Sequence, residues 1–378
     1  PTYGMISRFG VFPFASSLDH VGVLTRYVKD AAIVVDAIKG VDGKDMTALP
    51  NLQNLTEKIN TNITGKKLFY IKELCNVNSY ENPSENLIAS INKFHDTLDI
   101  LKEMGASVTE ISIDKRLLNA IYPTYVVISC AEATSNLSMY TGIIYGPRGN
   151  GKNINEMVKD YRTNSFSPLI KRRLVIGSYV LQKENQDRYY LNACKVRRKI
   201  IDKFNELFLE YDGFITMASG MGAPLINEAS EVLTNRAVLE NHLAIANFGG
   251  YPSITIPNGY VDNMPIGVNI TGKVLDDANV LSIAAALEEK TNREIRVTVP
   301  GHTQRGGAPC AYDRVLATRV GAYAAELILN KEYGYMVGIV DGDTQKVPLS
   351  EVAGKLKYVD PECQMIKDAK TIGISFGE

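Results

Sequence analysis

RVTVPGHTQRGGAPCAYDRVLATR, residues 296–319, decides how the chain divides. It reads as a strand over Val297–Pro300, a glycine-rich turn carrying His302 and Arg305 beside Gly306-Gly307, and a helix that Asp313 starts and that runs to Leu329. A His and an Arg three residues apart on such a turn, near the positive end of a helix, make a plausible phosphate clamp. Nothing in residues 1 to about 290 has this character, yet no shift in composition marks the junction near 290–295. Motif identity alone separates a first piece, 1–290, from a second, 291–378.

The first piece alternates buried strands with amphipathic helices. A helix is predicted over Arg26–Lys39, with Val28, Ala31, Ala32, Val35 and Ile38 on one face and Gly40 closing it. Lys67–Ile71 is a short strand. Ser84 caps a helix whose apolar positions, Leu87, Ile91, Phe94, Leu98 and Leu101, are spaced 4, 3, 4, 3; Gly105 ends it, and 107–113 alternates as a strand. Tyr122–Tyr140 reads as a mostly buried helix, Ile154–Tyr161 and Leu169–Gln182 as two more, and Glu184–Tyr211 as one long helix. Then come a strand at 213–217, a helix over Leu239–Phe248, strands at 252–257 and 265–272, and a helix over Asp277–Lys290. This order predicts an α/β domain with a mixed or parallel sheet.

Composition excludes several classes. The 378 residues allow two or three domains, and 45% apolar with 22% charged residues is ordinary globular usage. The formal net charge of −1 carries no general polyanion-binding signal; the basic runs Lys171–Arg173 and Lys195–Lys199 read as solvated helix faces, with phosphate or tRNA contact the competing reading. Five scattered cysteines without a C-x-x-C pair suit a reducing cytoplasm, and four distant histidines give no metal-ligand spacing. No apolar run reaches bilayer length and no signal peptide is evident, so no membrane association is expected. Because the chain opens on Pro1, its natural start is expected upstream.

Gly146-Pro-Arg-Gly-Asn-Gly-Lys152-Asn153 fits G-x-x-x-x-G-K, but Asn153 replaces the Ser or Thr that would hold Mg²⁺, and Pro147 removes a backbone donor. It reads as a surface loop.

PTYGMISRFGVFPFASSLDHVGVLTRYVKDAAIVVDAIKGVDGKD at the start, with SCAEATSNLSMYTGIIYG (129–146), IKRRLVIGSYVLQKENQDRYYLNACKVRRKI (170–200), ENHLAIANFGGYPSITIPNG (240–259) and PIGVNITG (265–272), resembles the amidase signature family, and within it the A subunits of glutamyl-tRNA(Gln) amidotransferases. The resemblance covers roughly residues 1–290. It implies an α/β/α sandwich around a large mixed sheet, incomplete here, with exposed sheet edges and marginal stability for the isolated chain. It also implies hydrolysis of the glutamine amide to supply ammonia to Glu-tRNA(Gln), with amidotransferase B and C subunits as partners and tRNA as an indirect one. A free amidase acting on another small amide is a weaker variant. The family's Ser–cis-Ser–Lys triad precedes its P-T-Y-G segment, so no catalytic residue is expected among these 378. Ser16 and Ser17 read as turn and capping residues. For the glutamine pocket the resemblance points to Arg172 or Arg173 on the α-carboxylate, a role that suits a forked guanidinium, and to Glu240 where the family has Asp on the α-amine. Tyr125 lines the same pocket. The competing reading makes Arg172 and Arg173 surface charges.

REIRVTVPGHTQRGGAPCAYDRVLATRVGAYAAELIL, EYGYMVGIVDG and the stretch from Val347 to Glu378 resemble the C-terminal part of 6-phosphofructokinases. The resemblance implies a small α/β remnant of that type, in which His302 and Arg305 contact fructose 6-phosphate and Arg296 reaches it from a neighbouring protomer. The donor-site loop and catalytic base of that family lie outside this stretch. No cofactor is therefore expected in the chain, and ATP and Mg²⁺ belong to missing or partner parts. Three functions compete: an amidotransferase A-subunit fragment with a foreign tail, a phosphofructokinase-related protein that tetramerises, and a non-enzymatic chimera of two gene fragments.

Overall fold

The computed structural model describes residues 1–220, 222–223, 241–291, 311–340, 342–354 and 363–371. The chain divides into two compact units, Pro1–Val297 and Thr298–Glu378.

A five-stranded sheet organises the first unit. Its strands are β1 (Lys67–Ile71), β2 (Ser107–Ile111), β3 (Gly213–Met217), β4 (Ser253–Val261) and β5 (Met264–Thr271), in the order β2-β1-β3-β5-β4. β2, β1 and β3 run parallel; β5 and β4 are antiparallel, joined by a tight turn at Asp262-Asn263, both with positive φ. The sheet is therefore mixed. β1 and β3 are buried on both faces, which is why they read as continuous apolar runs.

Helices cover both faces. They are α1 (Val28–Ile38), α2 (Glu85–Glu103), α3 (Ile121–Asn136), α4 (Ile154–Ser165), α5 (Pro168–Val180), α6 (Asn192–Glu210), α7 (Ala244–Gly249) and α8 (Asp277–Thr291). Successive residues of β1 divide the two layers. Phe69 packs its ring against Phe204 and Phe208 of α6 and stacks on Phe214 at 5.2 Å, whereas Tyr70 meets Phe94 of α2. The predicted cap is present: Ser84 Oγ accepts a hydrogen bond from the Leu87 amide at 3.2 Å.

The amino-terminal segment is stitched to α8. Buried Asp277 accepts hydrogen bonds from the Thr2 amide at 2.7 Å and the Thr2 hydroxyl at 2.5 Å. Gly4, at φ +81°, passes so close to the Thr47 carbonyl that a Cβ there would lie 2.2 Å from its oxygen.

Several elements differ from expectation, among them α4, which runs four residues beyond Tyr161 to Ser165. α3 stops at Asn136, four residues early, and Arg162 of α4 donates to the Leu137 and Tyr140 carbonyls just beyond it. The long helix predicted over 184–211 contains a π-type turn at Asp187–Leu191 before α6. β4 continues four residues past Pro257 because an irregular register between Pro257 and Tyr260 lets the hairpin resume.

In the second unit, α9 (Ala311–Leu329) starts two residues before the expected Asp313, and a hairpin joins β6 (Tyr335–Val340) to β7 (Asp343–Pro348). A last helix, α10, spans Gln364–Thr371. The unit is small and α/β. Its predicted strand at 297–300 and the turn with Arg296, His302 and Arg305 lie outside the described residues, as does Glu240 of the first unit. No helix among the described residues is long and apolar enough to cross a membrane.

Candidate functional site

α3 and α5 cross in close contact, and Gly177 makes that possible: a Cβ there would stand 2.0 Å from the Cys130 carbonyl oxygen. The crossing brings Arg173, one turn before Gly177, against Tyr125, with Nη1 3.4 Å from the phenol oxygen. The Arg173 guanidinium also lies over the Phe14 ring, 5.1 Å from its centroid. Of the sequence-predicted pocket residues, the structure thus brings Arg173 and Tyr125 together. Arg172, on the same helix, is exposed.

Phe14 belongs to a loop that closes on itself. Asp19 accepts from the amides of Phe14 and Ala15 at 3.0 Å, and the amides of Leu18 and Asp19 donate to the Ala15 carbonyl. Polar side chains from elsewhere in the fold pin this loop. Asn136 donates to the Phe14 carbonyl at 3.1 Å and to Ser16 Oγ at 3.0 Å. The Tyr3 hydroxyl donates to the Ser16 carbonyl at 2.7 Å. Glu132 accepts from Ser17 N at 2.9 Å and from Ser17 Oγ at 2.6 Å. Arg197 donates to Ser17 Oγ at 2.7 Å, to Ser17 O at 2.9 Å and, through Nε and Nη2, to the Phe248 carbonyl.

This geometry gives Ser16 and Ser17 structural work. Ser17 Oγ donates its proton to a carboxylate and accepts from a guanidinium, so its hydrogen-bonding capacity is engaged inside the loop. The neighbouring thiol is no better a nucleophile: burial pushes Cys130 up from its ordinary value, against the pull of Arg173 and Arg172.

Arg197 corrects part of the reading of its basic run. Lys195, Arg198 and Lys199 are exposed, and Arg198 pairs with Asp202 at 2.8 Å, as a solvated face would. Arg197 instead is half-buried, its guanidinium pulled below its ordinary value by desolvation and committed to Ser17 and Phe248. A signal for this was legible: Arg197 lies four residues after Ala193 and three before Ile200, both buried, so it shares their face. Glu132 and Asn136 carried a similar one. They follow Tyr125 by seven and eleven residues, which places all three on one stripe of α3.

Two backbone donors of the glycine loop at 146–153 are occupied. The Lys152 amide donates to Glu156 Oε2 at 2.8 Å and the Asn150 amide to Asp160 Oδ2 at 2.8 Å, while Asn153 Oδ1 caps α4 through the Glu156 amide. Two carboxylates accept from amides that a phosphate-binding loop would present to its ligand. The loop does not fit a nucleotide. Among the described residues no group of three or more His, Cys, Asp or Glu is arranged to hold a metal ion.

Residues 1–281 match the amidase family, and residues 254–328 match the phosphofructokinase family. The overlap, 254–281, comprises β4, β5 and the start of α8, which hydrogen-bonding and burial tie to the first unit's sheet and core. The A subunit of the glutamyl-tRNA(Gln) amidotransferase of Thermotoga maritima is 35% identical over 291 residues, 77% of this chain and 59% of that protein. Its counterpart from Pelagibacter ubique is 35% identical over 300 residues, 79% of this chain and 60% of the relative. The chain therefore spans about 60% of the length of the curated relatives it matches. The crystal structure of the Thermotoga maritima protein superposes with a TM-score of 0.60 at 32% identity, covering 76% of this chain and 56% of that one. Native peptide amidase from Stenotrophomonas maltophilia, 20% identical, shares the fold at a TM-score of 0.57, over 79% of this chain and 59% of its own.

Proposed function

The chain belongs to the amidase family, and from that premise we propose that its first piece, 1–290, is the glutamine-recognising part of the A subunit of a glutamyl-tRNA(Gln) amidotransferase. The glutamine amide would supply ammonia to Glu-tRNA(Gln) in a cytoplasmic complex with B and C subunits. The observation that carries this reading is the Arg173–Tyr125–Phe14 contact. A guanidinium braced by a phenol and an aromatic face keeps donors in a fixed fork, and a fork is what a carboxylate needs. Arg173 is proposed for the α-carboxylate of glutamine with Tyr125 beside it; Glu240 is proposed for the α-amine. Exposed Arg172 is the alternative to Arg173.

These 378 residues are proposed to bind without turnover. Hydrolysing an amide needs an activated hydroxyl, a proton carrier and an oxyanion hole. Ser16 and Ser17 are engaged in holding a loop, and Cys130 is raised away from the thiolate. No cofactor of its own is proposed; ATP and Mg²⁺ would belong to other parts.

Titration calorimetry with L-glutamine tests the assignment. Binding is expected for the 378-residue chain, lost in Arg173→Leu and retained in Arg172→Leu. The reverse pattern would move the carboxylate site to Arg172. Ammonia release from glutamine by these 378 residues would end the proposal of binding without turnover.

A second reading applies to the tail, 291–378, and the match of 254–328 to the phosphofructokinase family favours it. Arg296, His302 and Arg305 would form a fructose 6-phosphate cradle completed by a neighbouring copy. In that case the whole is a fusion of two gene fragments, without kinase activity. Protection of the second unit from thermal unfolding by fructose 6-phosphate would support it, and no shift would leave the tail without a ligand.

A further inference from the structure

Among the described residues, the Arg173 guanidinium meets a phenol and an aromatic ring, and no carboxylate pairs with it. Such a side chain keeps its direction only as well as those two groups keep theirs. Tyr125 is carried by α3 itself. Phe14 is carried by a loop, and loops hold a ring in place only when their backbone is tied down. The Phe14–Asp19 loop is tied by Asp19 from within and by Asn136, Glu132 and Arg197 from outside. Two of these anchors, Glu132 and Asn136, stand on the same stripe of α3 as Tyr125. One helix therefore sets both supports of the guanidinium: the phenol directly, and the ring through the loop.

The third anchor links the arrangement to the core. Arg197 stands on α6, whose other residues Phe204 and Phe208 pack on β1. It joins Ser17 to the last turn of α7 through the Phe248 carbonyl. Arg197 is half-buried and desolvated, and its three nitrogens reach two carbonyl oxygens and a hydroxyl at once, where a lysine offers a single nitrogen. Simple filling of space would not require a guanidinium there.

We propose that Glu132, Asn136 and Arg197 are positioning residues: they hold the Phe14–Asp19 loop so that the Phe14 ring aims the Arg173 guanidinium at a ligand carboxylate. The inference rests on reading Arg173 as the carboxylate-binding group, and it adds residues that never touch the ligand. It predicts a specific defect. Loosening the loop weakens recognition of the α-carboxylate while leaving recognition of the side-chain amide unchanged.

The readout is the preference for L-glutamine over 4-aminobutanamide, which keeps the amide and the amine but lacks the carboxylate. Both affinities are measured by calorimetry on the full chain. Arg173→Leu abolishes the preference. Phe14→Leu, a mild change at a half-exposed ring, lowers it roughly fivefold, the scale of a cation–π contact. Phe14→Tyr keeps a ring and restores it. Glu132→Gln and Arg197→Lys lower it in the same sense, each with an unaltered affinity for 4-aminobutanamide, which a merely structural collapse would not spare. If Arg173→Leu abolishes the preference while Phe14→Leu and Glu132→Gln leave it intact, the positioning role is wrong and the carboxylate site stands. If Arg173→Leu leaves the preference intact, or the wild-type chain binds no glutamine, the carboxylate site is wrong and the positioning role goes with it. Should Arg197→Lys fail to fold, Glu132→Gln decides.

Discussion

Gly177→Ala offers a test by sign. In an ordinary helix interior, replacing Gly by Ala stabilises by ~0.8–1 kcal/mol because Ala loses less backbone entropy on folding. Gly177 is not in ordinary surroundings. Its added Cβ would lie 2.0 Å from the Cys130 carbonyl oxygen and 2.1 Å from Thr134 Oγ1. The first is backbone, so it cannot swing aside; α5 must retreat from α3 by about 1 Å to relieve the overlap. Overpacking of this kind costs ~1–3 kcal/mol, which outweighs the propensity gain. The net expectation is a loss of up to ~2 kcal/mol, or up to roughly 4 °C in the melting of the first unit. Gly321, exposed in the middle of α9, provides the opposite case, since a Cβ there meets nothing within 4 Å. Gly321→Ala is expected to stabilise its unit by ~0.8–1 kcal/mol. Hydrogen exchange read by mass spectrometry assigns each change to its unit: faster exchange in 121–136 and 168–180 for the first variant, slower exchange in 311–329 for the second. Stabilisation by Gly177→Ala would mean that the two helices do not cross at this distance, and the placement of Arg173 against Tyr125 would fall with it.

Other consequences can be checked independently. Asp277→Asn weakens two buried hydrogen bonds to Thr2 and is expected to cost the first unit ~1–3 kcal/mol in a urea titration. Partial burial pushes Asp36 up, but Lys39, the Thr56 hydroxyl and the amides of Leu55 and Thr56 outweigh it and hold the carboxyl down to about 2. Its folded value lies below the unfolded one, so its contribution is present above about pH 4 and is lost as pH falls towards 2. Asp36→Asn should flatten the stability profile in that window alone, and an unchanged profile would count against the Lys39 pairing. Cys75, fully buried and pushed up to about 12, should resist iodoacetamide in the folded chain while half-exposed Cys363 is labelled, as peptide mapping would read.

Much of the fold was legible along the chain because periodicity records burial. The spacing from Leu87 to Leu101 predicted α2, and the apolar run 213–217 predicted β3 with its limits. Chain order suggested a mixed or parallel sheet, but strand order did not follow from it. β1 lies between β2 and β3 although β3 comes about a hundred residues after β2, because long-range pairing depends on which apolar faces remain to be covered. The family motifs named Tyr125 and the Arg172–Arg173 pair. They could not choose between the two arginines, since adjacent helix residues differ by about 100° in direction and only the crossing at Gly177 decides which faces Tyr125.

The sequence by itself therefore determined the α/β class and the amidase family of the chain, both of which depend on local pattern and motif order. Tertiary structure alone decided the roles of Ser17, Glu132, Asn136 and Arg197. Those residues are up to 180 positions apart, and their meaning lies in hydrogen bonds that exist only once the helices have packed.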